Sequence, residues 1–211
     1  MAVIDDAPPF ERGSTFYNGS TINSSDLGGL QFEGKKWAFE DLTYTGTTGA
    51  KARRSNRTVT CMCVRNVSGI ALLPKRLARL QRTGTDGRFF LGRADGYGFA
   101  TAEYGVFPVD EWLPAAGVPN NDLFWVVIEG PATVLSDLAP AASGVFNVGD
   151  AVVALTAATS QATTAGRVSA QDLTGATALL ANQVGNRLGR ALSAATTANT
   201  NSSLLINVSK W

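Results

Sequence analysis

The residues best suited to chemistry in this chain are two acidic pairs, Glu40-Asp41 and Asp110-Glu111. Two carboxylates flanking a bond can share acid and base work, as in glycoside hydrolysis. Neighbouring residues on a strand face opposite ways, so neither pair brackets a bond alone. One carboxylate from each pair stays open as a combination, but with 17 acids in the chain it has little specificity. The 211 residues include no histidine. Ser-His-Asp and Cys-His nucleophiles and His-ligated metals are therefore excluded within the chain. Cys61 and Cys63 are the only two cysteines, too few for a disulfide framework or a four-thiolate metal site. On one strand they point the same way with Cα atoms about 6.5–7 Å apart, a poor disulfide geometry, and they read as buried, inert thiols. Gly96-Tyr97-Gly98 lacks the third glycine of a dinucleotide loop, and neither a phosphate-binding Gly-Lys-Ser/Thr loop nor an EF-hand occurs. No cofactor, no metal and no enzymatic activity are expected.

Charge is more informative. The net charge is +1, yet the charges are segregated. Residues 1–34 hold five acids and one base, and residues 35–93 hold thirteen bases and three acids. Residues 94–166 hold eight acids and no Lys or Arg, and residues 167–211 hold four bases and one acid. Such blocks pair either within a fold or between neighbouring copies. The basic block, with Lys51, Arg53, Arg54 and Arg57 at its start, fits phosphate contacts, an acidic protein surface or a solvated face. The acidic block that follows would repel phosphates, so direct nucleic-acid binding is not expected.

These residues must be positioned by β-structure. Residues 57–66 alternate as a strand, and 122–131 read as a strand buried on both faces, continued by 132–135 after a Gly-Pro bend. Short strands are expected at 151–155, 163–168, 187–192 and 204–208, and 75–80 reads as a strand with basic residues outward or, alternatively, a short helix, the strand being favoured by its length. Asp86-Gly87 and Asp95-Gly96 read as tight turns bracketing a hairpin strand. Asp172 to Val184 is the one expected helix, with Leu173, Ala176, Leu179, Leu180 and Val184 on one stripe and Gly185 as terminator. The sum is a mainly β fold, a small β-barrel or sandwich with one short helix, placed at 51–211. Residues 1–50 read as a long extended N-terminal arm, rich in Gly, Ser, Thr and Asn but carrying Phe10, Phe16, Tyr17, Phe32, Trp37 and Phe39. Those rings need apolar cover, on the chain's own domain or on a neighbouring subunit. The first residues show no secretory signal and no stretch of 18 apolar residues occurs, so no membrane contact is expected and the thiols are expected to be free in a reducing compartment.

Val64-Arg65-Asn66-Val67-Ser68-Gly69, Leu72-Leu73-Pro74, the Pro108-to-Pro119 stretch and Phe124-Trp125-Val126-Val127-Ile128-Glu129-Gly130-Pro131 resemble the capsid decoration (cement) proteins of tailed bacteriophages. Val148-Gly149-Asp150, Gly166-Arg167-Val168 and Leu188-Gly189-Arg190-Ala191-Leu192 are similar to the small β-barrels that recur in such proteins. The likeness spans residues 57–211 and rests on packing and turn motifs. It implies a non-enzymatic virion protein on the outside of an icosahedral head. Its partners would be the major capsid protein and neighbouring copies of itself, as a homotrimer. On that reading the arm rings and Lys51, Arg53, Arg54 and Arg57 grip the shell. A host-attachment or tail-associated β protein is the alternative, and a carboxylate-dependent hydrolase a third.

Overall fold

The structure, a computed structural model, describes residues 7–16, 32–45, 50–81, 92–97, 105–136, 146–154, 166–170, 187–194 and 203–209. Among the described residues ten strands appear in chain order: β1 (Lys36–Thr45), β2 (Ala50–Asn66), β3 (Leu77–Leu80), β4 (Arg93–Tyr97), β5 (Val106–Pro108), β6 (Leu123–Leu135), β7 (Ala151–Ala154), β8 (Val168–Ala170), β9 (Arg187–Ala191) and β10 (Ser203–Ser209). They form one sheet of order β5-β3-β4-β2-β6-β10-β9-β7-β8, with β1 paired to β2 beside that path. The sheet curls back on its central strand from both ends. Val109, just past β5, bridges Val126 of β6, and Ser136, just past β6, bridges Val168 of β8. The result is mainly β, a nearly closed barrel-like sheet. The expected helix at 172–184 lies outside the described residues.

The apolar run of β6 explains this architecture. Leu123, Trp125 and Val127 join one core cluster with Val59, Cys61 and Cys63. Phe124, Val126 and Ile128 join the other, with Met62, Val64 and Phe107. A strand apolar on both faces must be covered on both, so it becomes the centre around which the sheet folds. Between Val127 and Glu129 the β2 partners advance only from Cys61 to Thr60, so Ile128 is an extra residue, a β-bulge. The bulge reverses the alternation, and Ala132 and Val134 now face the cluster that Leu123 and Trp125 served. Gly130 follows with φ 95°, where an added Cβ would overlap the Thr58 carbonyl oxygen. Pro131 sits inside the strand at no cost to the ladder. Its carbonyl faces Arg54, and a strand residue's N and O point the same way, so β10 never needed its N–H.

Two expectations change. Asp95-Gly96 is not a turn but lies inside β4. Arg79 pairs Gly96 while Leu80 pairs Ala94, so Asp95 is the bulged residue, and its carboxylate receives Arg79 at 2.8 Å. An Asp-Gly pair supplies the permissive backbone of a bulge as readily as that of a turn. The second change concerns the arm. Residues 36–45 are β1, antiparallel to β2 from Lys36↔Met62 to Thr45↔Ala50, so a boundary at residue 50 falls within a hairpin. Phe10, Phe32, Trp37 and Phe39 pack against the chain's own core, with Trp125 at the hub. Ring centroids lie 4.8 Å from Trp125 for Phe10 and 5.2 Å for both Trp37 and Phe39. Phe16 stacks on Phe10 and stays 39% exposed. Phe10, Trp37 and Phe39 thus find their cover within the chain, on the ring of Trp125 in the central strand. Tyr17 lies outside the described residues.

Candidate functional site

The residues singled out in the sequence gather in two places. The first is a strap, residues 8–16, laid along the Leu123 end of β6. Phe16 exchanges both backbone hydrogen bonds with Leu123, at 3.0 and 3.1 Å. The Trp125 indole N–H donates to the Phe10 carbonyl at 3.2 Å. Arg12 donates through Nε and Nη2 to Asp110 Oδ1 at 3.1 and 2.9 Å, and the Gly13 N–H donates to Oδ2 at 2.6 Å. Thr15 donates to Asp122 at 2.9 Å. Arg12 and Asp110 are both buried. Burial disfavours the charge on Arg12, but the facing Asp110, with Glu111 behind it, more than offsets this and raises its pKa above the ordinary value.

The second place is a ribbon. β6 pairs with β2 only from Thr60 to Arg65. Ala50–Thr58 pairs with β1 alone, so the outer half of the β1–β2 hairpin runs beyond the β6 ladder. Here the register slips: Glu40 pairs Thr58 and Leu42 pairs Arg53, so Asp41 alone opposes four residues, 54–57. Asp41, 1% exposed, holds this wide bulge by accepting from Arg54 at 2.9 Å and from the Ser55 hydroxyl at 2.7 Å. Arg54 reaches on to Glu111 at 3.0 Å and to Thr133 at 3.2 Å, with its guanidinium carbon 5.9 Å from the Trp112 ring centroid. The bulge borders an open basin of about 560 Å³ lined by Arg53, Ser55, Asn56 and Arg57 on β2, with Phe39 and Glu40 across from them. A second cavity of about 230 Å³ lies where the strap meets the ribbon, between Pro8, Arg12, Phe39, Leu42 and Trp112.

Each basic candidate has a partner in the chain. Lys51 pairs with Glu11, and Arg53 with Glu40 at 2.7 Å, both exposed. Arg57 donates to the Asn207 side chain at 3.1 Å. Only Arg54 is drawn inward, where it serves the fold. The acidic pairs also meet: Asp41 and Glu111 flank the same guanidinium, and Glu111 Oε1 lies 3.8 Å from Arg12. One carboxylate from each pair is thus brought together, but around an arginine that occupies the space between them. Arg12 was not singled out from the sequence. It is the one base among the first 34 residues, and that isolation was its signal.

The charge blocks interleave through such pairs. Asp95, Asp110 and Glu111 of the acidic block receive Arg79, Arg12 and Arg54, while Glu33 receives Arg65 and Arg93. The described surface is left leaning basic: Lys35, Lys36, Lys51, Arg53, Arg57, Arg187 and Arg190 are exposed, against Glu11, Glu40 and Glu129. Cys61 and Cys63 are free and buried, and burial pushes both thiols up to about 12. Among the described residues no three His, Cys, Asp or Glu side chains converge to hold a metal ion.

Fold and site together define a barrel-like β protein with a basic, bulged ribbon that extends past the β2–β6 pairing. Set beside known proteins, the chain matches no family model, no curated protein and no solved structure.

Proposed function

We propose that this chain is a structural virion protein that docks on an acidic protein surface through the β1–β2 ribbon, in many copies, as a capsid cement. One observation carries the docking surface: Arg53, Asn56 and Arg57 border one open basin on a ribbon that extends past the β6 ladder. Exposed ion pairs such as Arg53–Glu40 contribute little to stability, so these arginines can exchange an internal acid for an external one at small cost. Among the described residues, 50–58 pairs as a strand with β1 and not with β6, so the β6 side of the ribbon is the edge on which an added strand would lie. Phe10, Trp37 and Phe39 are not the gripping surface in this reading, because they pack against Trp125. The shell, the major capsid protein and neighbouring copies as partners come from the resemblance to decoration proteins, and weak single contacts multiplied over a lattice would suffice.

The test is imaging of purified phage particles made with and without this chain. Copies by the hundred on the head exterior are expected, with Arg53→Glu/Arg57→Glu removing them while the protein stays folded. A handful of copies on the tail supports the attachment alternative instead, and absence from particles overturns both.

A further inference from the structure

We infer that the strap, residues 8–16, can leave its own barrel and occupy the same groove of a second copy, so that neighbouring copies lock by exchanging straps. The acceptor is the Asp110–Asp122–Trp125 surface, and the occupant is the Phe10–Phe16 segment of another copy. This deepens the assembly reading, since exchange matters when copies are held side by side.

Three observations carry it. Three anchors of the strap lie on the barrel about a hundred positions away: Arg12 to Asp110, Thr15 to Asp122 and Phe10 to Trp125 are separated by 98, 107 and 115 residues. A strap from a second copy would make every one of these contacts unchanged. Next, the groove does not tolerate being empty. Asp110 is fully buried, and without Arg12 its charge would face the core alone; Asp122 Oδ1 already has no hydrogen-bond partner and would lose Thr15 at Oδ2. Some strap must therefore be present, but nothing in the groove distinguishes whose. Last, the tether is long for its task. Fifteen residues, 17–31, join Phe16 to Phe32, whose ring centroids are 6.5 Å apart. Fifteen residues of chain reach up to about 50 Å when extended, enough to cross to an adjacent barrel of this size.

Because the contacts are identical, concentration decides between the two arrangements. A tether of fifteen residues still presents its own strap at an effective concentration on the order of millimolar. Dilute protein therefore keeps its strap, and crowding on a lattice allows exchange, as in domain swapping generally.

The experiment uses the full chain in solution, so that its outcome is independent of any particle. In the double variant Thr15→Cys/Asp122→Cys the two side chains replace a hydrogen-bonded pair. After mild oxidation, a denaturing, non-reducing gel should show monomer at micromolar protein. It should show a covalent dimer and higher ladder growing to at least a tenth of the material near millimolar. A monomer band alone at every concentration overturns exchange and leaves ribbon docking untouched. As a second probe that spares Asp122, Phe16 is replaced by a photoreactive benzoylphenylalanine in a mixture of isotope-labelled and unlabelled chains. Crosslinks to residues 122–124 between labelled and unlabelled copies support exchange, and crosslinks confined to one copy overturn it.

Discussion

The strap and the ribbon come from the same polar, aromatic-bearing first quarter of the chain, and each presents arginine to carboxylate. In the strap, Arg12 and Asp110 are 5% and 0% exposed at their side chains. In the ribbon, Arg53 and Glu40 are 58% and 62% exposed. The same chemistry thus does opposite work. A buried pair cannot be broken without stranding a charge, so it locks a segment in place. An exposed pair is screened and replaceable, so it leaves a surface ready for another partner. Position relative to β6 sets the difference: the strap lies against the central strand, and the outer ribbon runs past it.

That contrast can be broken at several points. Arg12→Ala should lower unfolding free energy by about 3–5 kcal/mol in urea titration, because Asp110 is left buried without its partner. A loss as small as that of an exposed pair would erase the distinction. Asp41→Ala should cost about 1.5–3 kcal/mol, the worth of a lost buried bond to a charged group, and should close the basin by releasing Arg54 and Ser55. Asp122→Asn sharpens the strap side through pH. Burial raises the Asp122 pKa above 3.8, against the opposing effects of Thr15 and Arg65. A folded-state pKa above the unfolded one means the native state holds the proton longer, so the wild type loses stability as pH rises through that window. The advantage of Asp122→Asn over wild type should therefore grow from pH 4 upward and then level off, read as the difference in urea midpoints. Smallest is Arg53→Ala, expected to change stability by no more than about 1 kcal/mol while weakening docking.

How far the fold could be read in advance follows from the range of the forces involved. Alternation made the 57–66 part of β2 legible, and short apolar runs marked β3, β7, β9 and β10, since such patterns are written locally. The double-sided run of 122–131 announced the central strand. Asp95-Gly96 misled because a bulge and a turn ask for the same residue types, and only the pairing of Arg79 and Leu80 tells them apart. The rings of residues 10–39 were recognised as needing cover, but where that cover lay depended on Trp125, more than eighty residues on. Of the site, Lys51, Arg53 and Arg57 were legible as exposed bases. Arg54 could not be separated from them, because its inward turn depends on Asp41 and Glu111 meeting across the bulge.

Composition removed histidine chemistry and local pattern named a β-rich chain, because those follow from which side chains exist and how they are ordered along it. Which arginines would be buried and which left at the surface was decided only in three dimensions. Burial depends on what lies opposite, and in this chain the opposite residue stands 98 positions from Arg12 and 13 from Arg53. A one-dimensional pattern carries periodicity along a strand but not the identity of the distant charge that a folded sheet sets against it.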